Sequence, residues 1–149
     1  MKLPAPIEHV VTERGAVGVY LLPGGLVLQR VQGHATRPLA EAVIRAVEVA
    51  LGQHETLALF DDWFEVTGYD PEVRKLLTEH TARHRARMRE VHILVGSRLV
   101  AMGVAVASIL VPGMHTYSDR GAFERVLARV AALSASPASS RSLPPPAGR

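Results

Sequence analysis

Residues 91–111 read VHILVGSRLVAMGVAVASILV, and their reading decides the fold. Val91–Val95 is a continuous apolar run closed by Gly96-Ser97. Such a run, with no polar alternation, predicts a strand covered on both faces, as in a parallel sheet. Beyond the turn, no charged residue occurs from Leu99 to Val111. A helix resting on a core normally keeps a charged outer face, because only one stripe packs inward. This helix is therefore either covered on every side or meets another molecule. Gly103, Ala105, Ala107 and Ser108 are small enough to allow close helix approach. The run falls short of the roughly 20 residues that cross a bilayer.

The flanking segments extend the pattern. On the N-terminal side, Thr56-Leu-Ala-Leu-Phe60 reads as a second buried strand, ending in Asp61-Asp62-Trp63. Asp70-Pro71-Glu72 opens a helix with a capping acid, Pro in the first position and an acid in the first turn. Its inward stripe is Val73, Leu76, Leu77, His80, Thr81, His84 and Met88. Earlier still, Val17–Leu22 and Leu26–Val31 are split by Pro23-Gly24-Gly25, a hairpin signature. Gly33 closes the second strand. Thr36 then caps a helix whose stripe is Leu39, Val43, Ala46, Val47 and Ala50, with Gly52 as its stop. On the C-terminal side, Pro112-Gly113 ends the apolar helix, and Met114–Tyr117 is a brief strand. Ser118 or Asp119 caps a last helix with Phe123, Val126, Leu127 and Val130 on one face.

The predicted order is β-β-α-β-α-β-α-β-α. This implies an α/β domain over residues 1–133, with a mixed, mostly parallel sheet, an N-terminal hairpin and four helices. The remaining segment, 134–149, reads SASPASSRSLPPPAGR. It has too little apolar surface to offset its ordering entropy and is expected to be disordered.

Composition narrows the function. The 149 residues include no cysteine, which removes disulfides and thiolate metal sites. The N-terminus MKLPAPIEHV has no apolar core of signal-peptide length, so a cytoplasmic protein is expected. Net charge is +3, with lysine only at positions 2 and 75, a bias that reads as base composition rather than nucleic-acid binding. The basic run His80–Arg89 is expected to serve the end of its own helix, where cations favour the macrodipole.

Polar constellations are few. In a parallel sheet, ligands bind beyond the C-terminal strand ends. Asp61, Asp62, Ser97, Arg98, Asp119 and Arg120 would gather there as an anion or ligand site. The simpler alternative makes Ser97 and Asp119 helix caps, and pairs Asp61 or Asp62 with Arg98 or Arg120. His80 and His84, spaced i, i+4, share a helix face as zinc ligands do. No third ligand is evident, so no metal is assigned. Trp63, Phe64 and Tyr69 fall in one connecting segment, either as partner anchors or as a plug for the end of the sheet. No Ser-His-Asp elbow, phosphate loop or supported pair of catalytic carboxylates occurs, and no cofactor is implied.

The element order, the Asp-Asp-Trp segment after the third strand and the unit 91–111 resemble the STAS-type fold of anti-sigma-factor antagonists and the related SpoIIAA-like group of bacterial proteins. The resemblance spans roughly Ala16–Leu133. In phosphorylatable antagonists a Ser or Thr follows an acidic residue at the start of the helix after the third strand. Here that helix starts at Asp70-Pro71-Glu72, and the nearby Thr67 precedes it. The resemblance implies a bacterial, regulatory or scaffolding domain.

The leading expectation is a non-catalytic protein-interaction domain, homo-oligomeric or part of a larger assembly. Its contacts would come from Leu99, Val100, Met102, Gly103, Val104, Val106 and Ile109, with Trp63, Phe64 and Tyr69. The alternative is a small-molecule or lipid carrier with an apolar pocket beneath the same helix, since the SpoIIAA-like group is similar in architecture to lipid-transfer domains.

Overall fold

Among the described residues six strands lie in one sheet in simple sequential order, β1-β2-β3-β4-β5-β6. The structure is a computed structural model and describes residues 1–135. Strands β1 (Glu8–Val11), β2 (Gly15–Leu22) and β3 (Leu26–Ala35) form an antiparallel meander. Strands β4 (Leu57–Tyr69), β5 (Met88–Val95) and β6 (His115–Tyr117) continue from β3 in parallel. The expected hairpin is present, with Leu22 opposite Leu26 and the turn carried by Gly24 and Gly25 at positive φ. Strand β1 is additional to the sequence reading. Glu8 and Val10 are half-buried and His9 and Val11 exposed, so the strand carries a weak apolar signal.

Helices α1 (Arg37–Gln53), α2 (Pro71–Arg83) and α3 (Arg98–Leu110) follow β3, β4 and β5. Each joins neighbouring parallel strands while the sheet advances in one direction. Crossovers of one hand then put all three helices on the same face. There Val43 and Val47 of α1, Val73 of α2, and Val100 and Val104 of α3 pack on Leu59, Trp63 and Ile93. Helix α4 (Arg120–Ser134) packs Phe123, Leu127 and Val130 on Leu28, Phe60 and Leu94 of the opposite face.

Several boundaries differ from the sequence reading. Strand β4 does not stop at Phe60 but runs on to Tyr69, so Trp63, Phe64 and Tyr69 are strand residues and not a connecting segment. The long β3 supplies the reason. It pairs with β4 as far as Ala35 opposite Tyr69, through two register shifts. Helix α1 passes through Gly52 and ends at Gln53. Helix α2 ends at Arg83, and Met88 is the first residue of β5 rather than part of the helical stripe. Helix α4 includes Ser134, one residue beyond the expected boundary. The tail from 136 onward lies outside the described residues.

The basic run divides between two tasks: His80 and Arg83 lie in the last turn of α2, as expected, and the arginines beyond it bond elsewhere. Arg87 donates to the carbonyls of Leu51, His54 and Glu55, closing the C-terminal end of α1 rather than that of α2. Arg85 donates to the carbonyls of Pro112 and Met88, and Arg89 to those of Thr56 and Gly24. These guanidiniums tie loops together across the fold.

Candidate functional site

Helix α3 divides the residues expected to bind a partner into two sets. Val100, Gly103 and Val104 face the sheet and are buried. Leu99 (54%), Met102 (68%), Val106 (49%), Ile109 (78%) and Leu110 (58%) expose large apolar surface. Ser97 starts the helix by accepting a hydrogen bond from the Val100 amide. Gly103 lies against Tyr69, where a Cβ would overlap the phenol oxygen. A glycine there lets the helix settle onto the long β4. Phe64 is partly exposed.

Beneath α3 lies a cavity of about 90 Å³, walled by residues that include Leu59, Ile93, Val100, Gly103 and Val104. Its wall also holds side chains from the sheet with polar atoms, among them Gln29, Asp61 and Trp63. Gln29 and Trp63 are 6% and 8% exposed. The Gln29 amide nitrogen donates to Asp61 Oδ1 at 2.5 Å. Among the described residues Gln29 Oε1 and Trp63 Nε1 find no hydrogen-bond partner. Burial pushes the Asp61 carboxyl up to about 7, against the opposing effect of its Gln29 bond. Protein atoms surround the group, and the part of its surface left accessible borders the cavity. A buried donor and a buried acceptor left unpaired each cost about 1–3 kcal/mol. A molecule or water carrying complementary atoms would satisfy both.

The six residues expected to form a strand-end site are not brought together. Asp61 and Asp62 are adjacent on β4, so they point to opposite faces of the sheet. Asp62, buried, is held by Arg120 at 2.9 and 3.1 Å and by Arg30 at 3.5 Å. The Arg120 guanidinium also sits 5.0 Å from the centre of the Phe64 ring. Asp119 caps α4 by accepting from the amides of Gly121 and Ala122. Arg98 is exposed at the start of α3. The simpler alternative therefore describes these residues, with Asp62 as the acid and Arg120 as its partner. Thr67 is exposed on β4, ahead of Asp70, whose carboxylate makes no capping bond to α2 and pairs with His34 at 2.8 Å instead.

The structure adds residues that sequence reasoning missed. Glu48 of α1 accepts from His80 Nε2 at 2.7 Å and His84 Nε2 at 3.1 Å on the same oxygen. The His80 hydrogen bond holds the Glu48 carboxyl below its ordinary range. His92 of β5 is buried, stacked between the rings of Phe60 and His115, and bonded through Nδ1 to the Tyr117 hydroxyl at 2.9 Å. Burial lowers its pKa. The available signal for Gln29 is its place beside Arg30 as a polar pair inside the run Leu26–Val31. Glu48 gave no such signal, because its partners are 32 and 36 residues away.

With this geometry established, the solved structures supply a match. A crystal structure of an uncharacterized protein of the DUF3478 family from Shewanella loihica PV-4, described as having a SpoIIAA-like fold, superposes with a TM-score of 0.61. The chain has a SpoIIAA-like fold. The match covers 79% of this chain and 98% of the Shewanella protein at 16% identity, so the likeness is one of fold alone. No protein-family model and no curated protein matches the chain. Among the described residues, no helix is long and apolar enough to cross a membrane.

Proposed function

We propose that this chain is a non-catalytic interaction domain of a bacterial, cytoplasmic protein, and that it self-associates through α3 in a regulatory or scaffolding role. The observation that carries this reading is the outer face of α3, where Leu99, Met102, Val106, Ile109 and Leu110 all lie open. A contiguous apolar patch of this kind marks an interaction site on a soluble domain. The engagement of Asp62 by two arginines supports the non-catalytic part, since it ties up that carboxylate in structure. Val106→Asp and Ile109→Asp place a charge on the open face without entering the core. Native mass spectrometry and light scattering should find an oligomer for the parent chain and a folded monomer for either variant. A parent chain that stays monomeric at high concentration would sink the proposal.

The cavity favours a second reading, a carrier of a small molecule. An engineered cavity of about 150 Å³ in another protein accepts benzene. The cavity here, about 90 Å³, therefore suits a smaller molecule with a polar end, and a long acyl chain enters only if α3 lifts. The orphaned Gln29 oxygen and Trp63 nitrogen give such a ligand one donor and one acceptor to satisfy. Chain purified gently from its own host should carry an extra small mass, lost when Val104→Phe narrows the site. Recovery of the bare mass alone would remove the carrier reading.

A further inference from the structure

Glu48, His80 and His84 present three ligand atoms within 4.8 Å of one another, contributed by α1, by the last turn of α2 and by the residue just past its end. We propose that they form a binding site for a divalent cation of the zinc class, independent of both readings above. The donor set is the first argument. Two imidazoles and one carboxylate suit zinc and its transition-metal neighbours, whereas calcium and magnesium take oxygen donors. Three protein ligands leave a fourth tetrahedral position for water.

Geometry is the second argument. Around a tetrahedral zinc with bonds of 2.0–2.1 Å, neighbouring donor atoms lie about 3.3 Å apart. The two Nε2–Oε1 separations are 2.7 and 3.1 Å. Both therefore open by only a few tenths of an ångström to admit the ion. Both nitrogens approach one carboxylate oxygen rather than one each, so the donors share a focus. His80 lies in the last turn of α2 and His84 is the residue just past its end, with ring centres 4.7 Å apart. For metal binding each imidazole offers its Nε2 lone pair and keeps its proton on Nδ1.

Rigidity is the third. His80 is 6% exposed and belongs also to the wall of the cavity beneath α3. Glu48 and His84 lie toward the surface, which gives an ion a way in. The bound cation would clamp α1 to α2 beside that cavity.

Full-length chain should take up one Zn2+ in calorimetry, and Co2+ in its place should give the visible absorption of a tetrahedral site. Zinc should also raise the melting temperature. His84→Gln and Glu48→Gln change the outer ligands, and either should weaken zinc by about 100-fold or more and abolish the thermal shift. His9→Ala, at an exposed histidine elsewhere, should change neither. Proton–nitrogen spectra of the unmodified chain give a reading free of folding defects, with zinc moving the ring signals of His80 and His84 ahead of the other five histidines. The proposal is overturned by the absence of saturable one-to-one binding, by affinity that survives His84→Gln, or by ring shifts led by other histidines.

Discussion

Asp61 gives the chain a pH dependence that one substitution can isolate. Its carboxyl titrates at about 7 in the fold, against 3.8 for the ordinary group. Between those values the folded chain holds a proton that the unfolded chain has released. Stability therefore falls as pH rises through this window, and it stays low above it. Full linkage for such a shift is about 4 kcal/mol. The partial exposure of Asp61 reduces the expectation to about 2 kcal/mol. Asp61→Asn keeps an acceptor for Gln29 without the charge. Urea midpoints should show the variant gaining about 2 kcal/mol over the parent near pH 8, with the gain shrinking towards pH 4. A gain that ignores pH would return the carboxyl to its ordinary range. Gly103 offers a second test at this scale. Alanine improves an exposed helix by about 1 kcal/mol over glycine, but here its methyl meets the Tyr69 hydroxyl. Overpacking costs about 1–3 kcal/mol, so Gly103→Ala should destabilise. Tyr69→Phe in the same chain should restore most of the loss, and a double-mutant cycle measures the coupling.

At the scale of elements, the helices were legible and the long strand was not. Apolar stripes and caps placed α1 to α4, because Pro38, Asp70-Pro71, Ser97 and Asp119 are local signals. The second half of β4 carries Glu65, Thr67 and Gly68, which read as a loop. Alternation was present, with Val66 and Gly68 buried and Glu65 and Thr67 exposed. It becomes meaningful only once β3 is seen to offer a partner of matching length. Asp61 and Asp62 were misplaced for the same reason, since a strand ending at Phe60 would have left both at its tip. The Arg87 cap was equally hidden, because its carbonyls lie 32 to 36 residues away. Hydrogen bonds involving a charged donor contribute about 1.5–3 kcal/mol, so Arg87→Ala should lower stability by about 2 kcal/mol. Hydrogen exchange should quicken at the end of α1. Arg87→Lys keeps the charge but not the fork, and should recover little. Full recovery would mean that charge near the helix end, not the three bonds, carries the effect.

For the whole molecule, element order alone gave a mixed, mostly parallel sheet, because alternation of strand and helix leaves few topologies open. The order did not reveal that one face carries three helices and the other one. That follows from strands advancing in a single direction, which only the pairing discloses. The asymmetry sets the functional geometry. The triple-helix face holds the cavity, the Glu48–His80–His84 cluster and the open side of α3. The other face carries the Asp62–Arg120 pair and the His92 stack. Two residues adjacent in sequence, Asp61 and Asp62, thus serve separate environments.

The sequential strand order also bears on how the chain reaches this state. Each strand pairs with the strand before it, so no pairing waits for a distant segment. Loop closure between successive strands costs less entropy than closure across an intervening strand. Folding can then advance from the N-terminal meander outward during synthesis, each new strand docking on an edge already made. The growing edge stays exposed until its successor emerges, and β6, three residues long, leaves little of it behind.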